Sequence, residues 1–472
     1  GAPCATIQHA VDVANDDEEV RVAAGTYSGV QARTDWRGYV YTQVVYIDHD
    51  VVLHGGYDPA DWARSDPEAN PTVIDAEGAG RGIVVVDPAW QVPIEGFTVT
   101  GGDATGMGNP EGQSIQICSG NGTDCGGGIY ARAVSLVLRD MEVVNNVASR
   151  AGAGRTGYGG GIYLYWPHFG TRIERTSVLS NSVAGDGGSG GGIYTTDGYG
   201  VTISGCTIAH NAAPAYGGGI AVYVPRSPLE IESTDFFSNT QSNPEGLGGG
   251  ALYVQLDYSG EGLVLDRVWM AGNAAAGPGA AISLEKVGGF WTGFRLTNLL
   301  LTGNESTGGG ETDAVIAVGR GYYSTVNLAH VTAADNLAPA FLRAEAPYGG
   351  YSVDVVLTNT LVASATHGFV GYQEVGDGDL SIRHTRTFTS EVDTLHYAEM
   401  GTPDFEAIET LGGDPIFDAG YRLLEGSPAI DAGVDAGVGW DIDGDLRIDG
   451  APDVGADEFP ASMIYLPLVL RQ

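Results

Sequence analysis

The sequence predicts an all-β chain wound as a parallel β-helix. Three observations predict it: a recurring glycine phrase, a recurring asparagine phrase, and a spacing between copies that wanders. The glycine copies are "CGGGIYARA" at 125, "YGGGIYLYW" at 158, "SGGGIYTTD" at 189, "YGGGIAVYV" at 216 and "LGGGALYVQ" at 247, with a worn copy, "PGAAISLEK", at 278. The asparagine phrases end at Asn146, Asn181, Asn211, Asn239, Asn273, Asn304 and Asn336, in steps of 35, 30, 28, 34, 31 and 32 residues. A period near thirty built from strand-like units signals a solenoid. Helical repeats are excluded, because the units are rich in Gly and β-branched residues and lack a 3.6-residue apolar stripe. Tight-period arrays are disfavoured by the wandering step. A β-helix keeps its strands and lets one corner loop change length.

Each element follows in order. Residues 5–15, "ATIQHAVDVAN", place Ile7, Ala10, Val11 and Ala14 on one helical face, so this segment reads as a helical cap over an open sheet edge. "EEVRVAAGTY" follows as a strand and turn. Residues 1–30 are therefore the N-terminal cap and first coil, and 31–386 are coils. Within a coil, "GIYLY" and "TRIERTSVL" are strands joined at Gly- or Asn-centred corners. The glycines are expected where backbones of successive coils pack closely or φ is positive. The asparagines are expected at another corner, in the left-handed conformation, with one rung per coil able to bond to the next. Periodicity fails late in the chain. Residues 387–459 read as an irregular acidic C-terminal cap module, and 460–472 as an apolar tail strand.

Charge narrows the partners. The chain has 472 residues with 59 acids against 22 bases, a net charge of -37. Such a surface repels phosphate backbones and anionic lipid, so nucleic acid is excluded as a partner. Lys286 is the sole lysine; the remaining bases are arginines. No apolar run approaches the ~20 residues of a membrane-spanning helix. The sequence shows no export leader and reads as a mature form from which one has been removed. Cys118 and Cys125 bracket "SGNGTD", a loop that would close as a disulfide in an exported protein and hold two free thiols otherwise. Cys206, in "VTISGCTIAHN", reads as a small buried hydrophobe, and Cys4 has no evident partner.

The early coils "VVLHGGYDPADW…PTVIDAEGAGRG…IEGFTVTGGDA", with the "CATIQHAVDVA…VRVAAGTY" start, resemble secreted bacterial right-handed parallel β-helix proteins of the broad pectin-lyase-like superfamily. The GGGI and asparagine phrases are similar to repeats of chlamydial polymorphic outer-membrane proteins. "DPIFDAGYRLLEGSPAIDAG…DIDGDLR…PDVGADEF" resembles the C-terminal module called choice-of-anchor Q. The resemblance implies a right-handed coil and a secreted or cell-surface location. It implies no particular reaction.

The superfamily includes polysaccharide lyases and hydrolases, so their chemistry was sought in the residues. A lyase needs carboxylates around Ca²⁺ and an Arg or Lys base. A polygalacturonase shows Asn-Thr-Asp, Asp-Asp, Gly-His-Gly and Arg-x-Lys phrases. None of these stands in a coil; the one Asp-Asp, Asp16–Asp17, adjoins the cap. "YIDHDV" places Asp48 and Asp50 on one strand face and His49 on the other. "YWPHFG", residues 165–170, offers aromatic rings to a sugar, and His210 precedes a corner. Each has a plain structural explanation, as solvated strand, loop packing or corner.

The most site-like stretch is "WDIDGDLRIDGAPDVGADE". Asp441, Asp443 and Asp445 alternate, with Asp449 four further on, as carboxylates converging on calcium would. Leu446 stands where a calcium loop of the EF-hand type wants glycine. The competing explanation is a network between these acids and Arg447. Ile464, Tyr465, Leu466, Leu468, Val469 and Leu470 make the apolar tail, either packed on its own coil or donated to a neighbour. The expected function is a non-catalytic extracellular scaffold, self-associating through its ends and tail. The alternative is a polysaccharide-binding or polysaccharide-cleaving protein. Calcium is the one cofactor suggested, and no organic cofactor is expected.

Overall fold

In the computed structural model the described residues are 4–88, 90–110, 117–150, 154–184, 187–223, 227–256, 262–286, 292–319, 324–346, 351–373, 379–447 and 450–459. The chain is 54% strand and 2% helix and winds through about 11 turns of a β-solenoid. At ~4.8 Å per coil the coils rise roughly 50 Å.

Three walls of parallel strands enclose one lumen, and the inward side chains of each wall stack in a column along the axis. One wall stacks Ile83, Ile129, Ile162, Ile193, Ile220, Leu252, Ile282, Ile316, Leu342 and Phe369 in register. The second runs Leu53, Ile94, Leu138, Ile173, Ile203, Ile231, Leu265, Leu296, Leu328 and Leu357. The third runs from Ile74 through Val99, Val143, Val178, Ile208, Phe236 and Met270 to Leu301. These residues are buried. Each buried aliphatic side chain contributes about 1.5–3 kcal/mol, so the columns hold the coil together without any helix. Two of them reach histidines near the C-terminal end: His396 sits above Phe369, and His384 above Leu357 with Ala407 next in register.

The tyrosine of GGGIY points the other way. Tyr130, Tyr163 and Tyr194 stack outside the first wall, with ring centroids 5.7 and 5.6 Å apart, in a second buried cluster that includes Cys118 and Cys125. A disulfide joins these two cysteines. It closes a loop whose Ile117 carbonyl accepts from the Tyr130 hydroxyl and whose Ser119 amide donates to the Tyr163 hydroxyl. Cys206 is buried and Cys4 exposed.

The helix spans Ile7–Val13, with Thr6 as its N-cap and Ile7 and Val11 buried against the first coils. Two local hairpins, Gln31–Thr34 with Val40–Ile47 and Val51–Asp58 with Asp61–Ser65, are antiparallel, as are the isolated bridges Phe417–Leu423 and Trp440–Leu446. Coil strands do not stop at residue 386. Asp379–Met400 is one continuous bent strand, and Asp404–Ala407 and Thr410–Gly412 pair onto it as an exposed partial coil. Alternating apolar residues such as Leu380, Ile382 and Phe388 continue the pattern there.

The remaining C-terminal segment lies along the flank of earlier coils. Arg447 donates to Asn298 Oδ1, the Ala456 amide to Thr332 Oγ1, the Gly455 amide to the Asn359 carbonyl, and Tyr421 to Asp335. Leu423, Ala429 and Val454 pack on Leu361 and Phe388. The apolar tail, 460–472, and Asp449 lie outside the described residues.

Candidate functional site

The asparagines form an unbroken ladder. Each Nδ2 donates to the next Oδ1: Asn146 to Asn181 at 3.0 Å, Asn181 to Asn211 at 3.1 Å, Asn211 to Asn239 at 3.0 Å, and so on through Asn273 and Asn304 to Asn336. Each backbone N–H donates to that same next oxygen, as Asn181 N does to Asn211 Oδ1 at 2.9 Å. The second Nδ2 hydrogen goes to a carbonyl one coil back, for example from Asn211 to Val178. Asn146 through Asn304 are fully buried, and their amide groups are consumed. They hold coils together and have nothing left to offer a ligand.

Two details differ from the sequence expectation. The left-handed residue is the one before each ladder asparagine: Asn145, Ser180, His210, Ser238, Gly272, Gly303 and Asp335 all have φ between 53° and 63°. That sharp bend frees the asparagine itself to point inward. The glycines are also not at a separate place. A Cβ on Gly161 would lie 2.9 Å from Asn181 Cγ and 2.8 Å from Gly192 O, and Gly128 and Gly192 meet Asn146 and Asn211 in the same way. Triplet and asparagine are two sides of one tight contact. In the first four triplets only the first glycine has positive φ, as Gly159 does at 63°, whereas in the fifth both Gly248 and Gly249 do.

The acidic flank is the other candidate. Asp441, Asp443 and Asp457 bring carboxylate oxygens within 4.8 Å of one another. Asp445 is outside that group, and Asp457, which the alternating pattern did not mark, is inside it. Asp441 is buried; its Oδ1 accepts from the amides of Asp443 (2.9 Å) and Asp445 (2.7 Å), and its Oδ2 from Glu458 (3.1 Å). Arg422 grips both oxygens of Asp443, with Nη2 2.7 Å from Oδ1, and its Nε lies 3.8 Å from Asp457. Arg447 is paired instead with Glu458, at 2.7 Å. Burial pushes the carboxyls of Asp457 and Glu458 up to about 7 and that of Asp441 upward. Burial also lowers Arg447, so desolvation outweighs the ion pair on both of its partners. Tested against calcium, the donor set is poor: the Arg422 guanidinium already supplies the positive charge among these acids.

The other candidates separate. Asp48, His49 and Asp50 lie in the corner between strands Val40–Ile47 and Val51–Asp58, so they are not on a strand face. Asp50 is buried and accepts from the Trp90 amide at 2.8 Å. His210 is an exposed bend residue, and Lys286 is buried. In residues 165–170, Tyr165 is buried while Trp166 and Phe169 are exposed, and Tyr199 and Tyr223 are exposed at the same corner of the next two coils.

Along the second wall, arginines meet carboxylates one coil away. Arg139 lies 2.8 Å from Glu95 below and 2.6 Å from Glu174 above. Arg175 holds Asp140 at 2.8 Å, and Arg383 holds Asp354 at 2.7 Å. The Glu174 and Asp140 contacts hold the Arg139 and Arg175 guanidiniums above their ordinary range. Among the described residues no helix is long and apolar enough to cross a membrane.

No protein-family model matches the chain, and no curated protein matches it by sequence. Among solved structures it is similar to one described as the crystal structure of pectate lyase Pel9A, at 13% identity over 96% of this chain and 90% of that one, with a TM-score of 0.38. That score carries no argument about chemistry; the fold rests on the strand pairing itself.

Proposed function

We propose that this β-solenoid is a non-catalytic scaffold that works outside the cell. The carrying observation is that the outward arginines Arg139 and Arg175 are held in ion pairs. A lyase base must give up its proton to accept one from a sugar carbon, and Arg139 and Arg175 are ion-paired and shifted the wrong way. The Cys118–Cys125 bridge and the acidic surface support an exported location, as does the resemblance of the C-terminal segment to the choice-of-anchor Q module. Incubation with pectate, alginate or chondroitin plus Ca²⁺ tests the reading. No unsaturated-uronate absorbance is expected, and its appearance overturns the proposal.

A second reading, polysaccharide binding, is favoured by the exposed row of Trp166, Phe169, Tyr199 and Tyr223. Rings at one corner of successive coils offer stacking faces to an extended glycan. Loss of binding in Trp166→Ala on a glycan panel, against a native protein that binds, would support it.

Self-association completes the scaffold proposal. The helix Ile7–Val13 covers one end, while the strands Asp404–Ala407 and Thr410–Gly412 leave an exposed edge at the other. Asp404, Glu406 and Glu409 line that edge, which opposes pairing with another acidic chain. Filaments would therefore need an apolar bridging strand. Deleting 461–472 should leave folded monomers; filaments that survive the deletion overturn this part.

A further inference from the structure

Under the loop closed by Cys118–Cys125, a set of polar side chains is sealed from solvent with bonding capacity unused. Arg81 stands in the column that middle glycines fill in later coils, its neighbour Gly82 bonding to Gly127. Its Nε donates to the Cys125 carbonyl at 3.0 Å and its Nη2 to the Met107 carbonyl at 3.1 Å. Its Nη1 has no partner, and the residue is 0% exposed. Gln43 is its register partner on the neighbouring strand, also 0% exposed, with neither amide atom bonded. Tyr41, again 0% exposed, packs on Tyr130 at 5.4 Å, and the Arg81 guanidinium lies 5.5 Å from that same ring. The Tyr41 hydroxyl makes no hydrogen bond of good geometry, and the charges of Asp35 and Arg132 both reach it.

The unused groups are mostly donors: two N–H on Nη1, two on Gln43 Nε2 and the tyrosine O–H, against few acceptors. The charge is also unbalanced. No carboxylate is ion-paired with Arg81 among the described residues. Asp124, whose charge reaches it, is bonded to Arg155 at 2.8 Å and to Ser149. Unused donors on buried side chains, around a guanidinium with no ion pair of its own, call for an acceptor that carries negative charge. Strands one coil apart leave ~4.8 Å between backbones, so the guest must be close to monatomic. We propose that Arg81, Gln43 and Tyr41 form an internal site for one small monovalent anion of halide size, which stabilises the junction of the first coils with the disulfide-closed loop. A net charge of -37 repels anions at long range, so retention must come from these local donors.

Thermal melting at constant ionic strength, with sodium chloride replaced by sodium gluconate, tests the site. The native midpoint should rise with chloride by about 3 °C at a hundredfold excess over Kd. Arg81→Gly, which copies the residue of later coils, should melt alike in both salts. Crystals of the native protein grown in bromide should show an anomalous peak beside Arg81 Nη1. Equal native midpoints in the two salts, a chloride effect retained in Arg81→Gly, or water alone at Nη1 in bromide would each overturn the proposal.

Discussion

At the scale of the residue, the ladder asparagine is the most heavily committed side chain in the coil. Asn211 accepts two bonds from Asn181 and donates to Asn239 and Val178. Asn211→Ala strands two donors of Asn181 in the dry interior. Each buried orphan costs about 1–3 kcal/mol, so a loss of roughly 2–6 kcal/mol is expected, read as a lower melting midpoint. Gly161→Ala should injure the same contact by volume alone, since its added carbon would sit 2.8 Å from Gly192 O. The histidines matter differently. His384 and His396 face each other with Nε2 atoms 2.7 Å apart, and Phe369 and Phe405 stack on them. Burial holds His384 down to about 4 and lowers His396, and it holds His330, beside Arg447, down to about 3. An imidazole kept neutral when folded but free to protonate when unfolded contributes stability that is complete above about pH 6.5. For His384 that contribution is lost as the pH falls towards about 4. Asp457 and Glu458, pushed up to about 7, act oppositely: the folded chain holds their protons below pH 7, so acid favours it through them. The histidine share is the difference between native protein and His384→Gln. The variant should lose less of its midpoint between pH 7 and pH 5, and parallel slopes would contradict this.

At the scale of the element, the C-terminal segment is held by bonds to coil corners, and Arg422 closes its acidic loop. Chelation should leave the native melting midpoint unchanged, while Arg422→Gln should loosen residues 413–459 to hydrogen exchange. A midpoint that drops on chelation would show a cation where Arg422 is thought to suffice. Sequence reading reached some of these elements and missed others for definite reasons. The coils were legible because GGGI and the asparagine phrases repeat with the backbone contact they serve. The helix was legible from the spacing of Ile7 and Val11. The partial coil after 386 was not, because it lacks both phrases and keeps only scattered apolar residues such as Phe388, Phe405 and Leu411. Asp457 and Arg422 escaped notice since they stand 16 residues after and 19 before Asp441, and only the folded loop brings them together. A signal for the tyrosine stack was present, in the Tyr after each Ile at 130, 163 and 194. Arg81 gave one too, as a large charged residue in "GAGRG" where the next five coils have glycine and the following ones alanine.

At the scale of the whole molecule, the solenoid is a rod with unlike ends, one under a helix and one edged with acids. Its second wall links successive coils through ion pairs such as Arg139 with Glu95 and Glu174. Exposed pairs of this kind contribute about 0–1 kcal/mol each and weaken with salt, whereas screening relieves the repulsion of a net charge of -37, so the rod's melting midpoint should rise with ionic strength. The ladder has a further consequence. Every rung meets its neighbours through the same four bonds, so any rung can succeed any other. Cutting out residues 182–211 joins Asn181 to Ala212 and hands the Asn181 amide to Asn239 in place of Asn211. That splice should melt cooperatively as a rod one coil shorter, whereas removing 182–196 should leave a seam that cannot close. Such a molecule grows or shrinks by whole steps, and gene duplication within it edits a ruler by adding or erasing single marks.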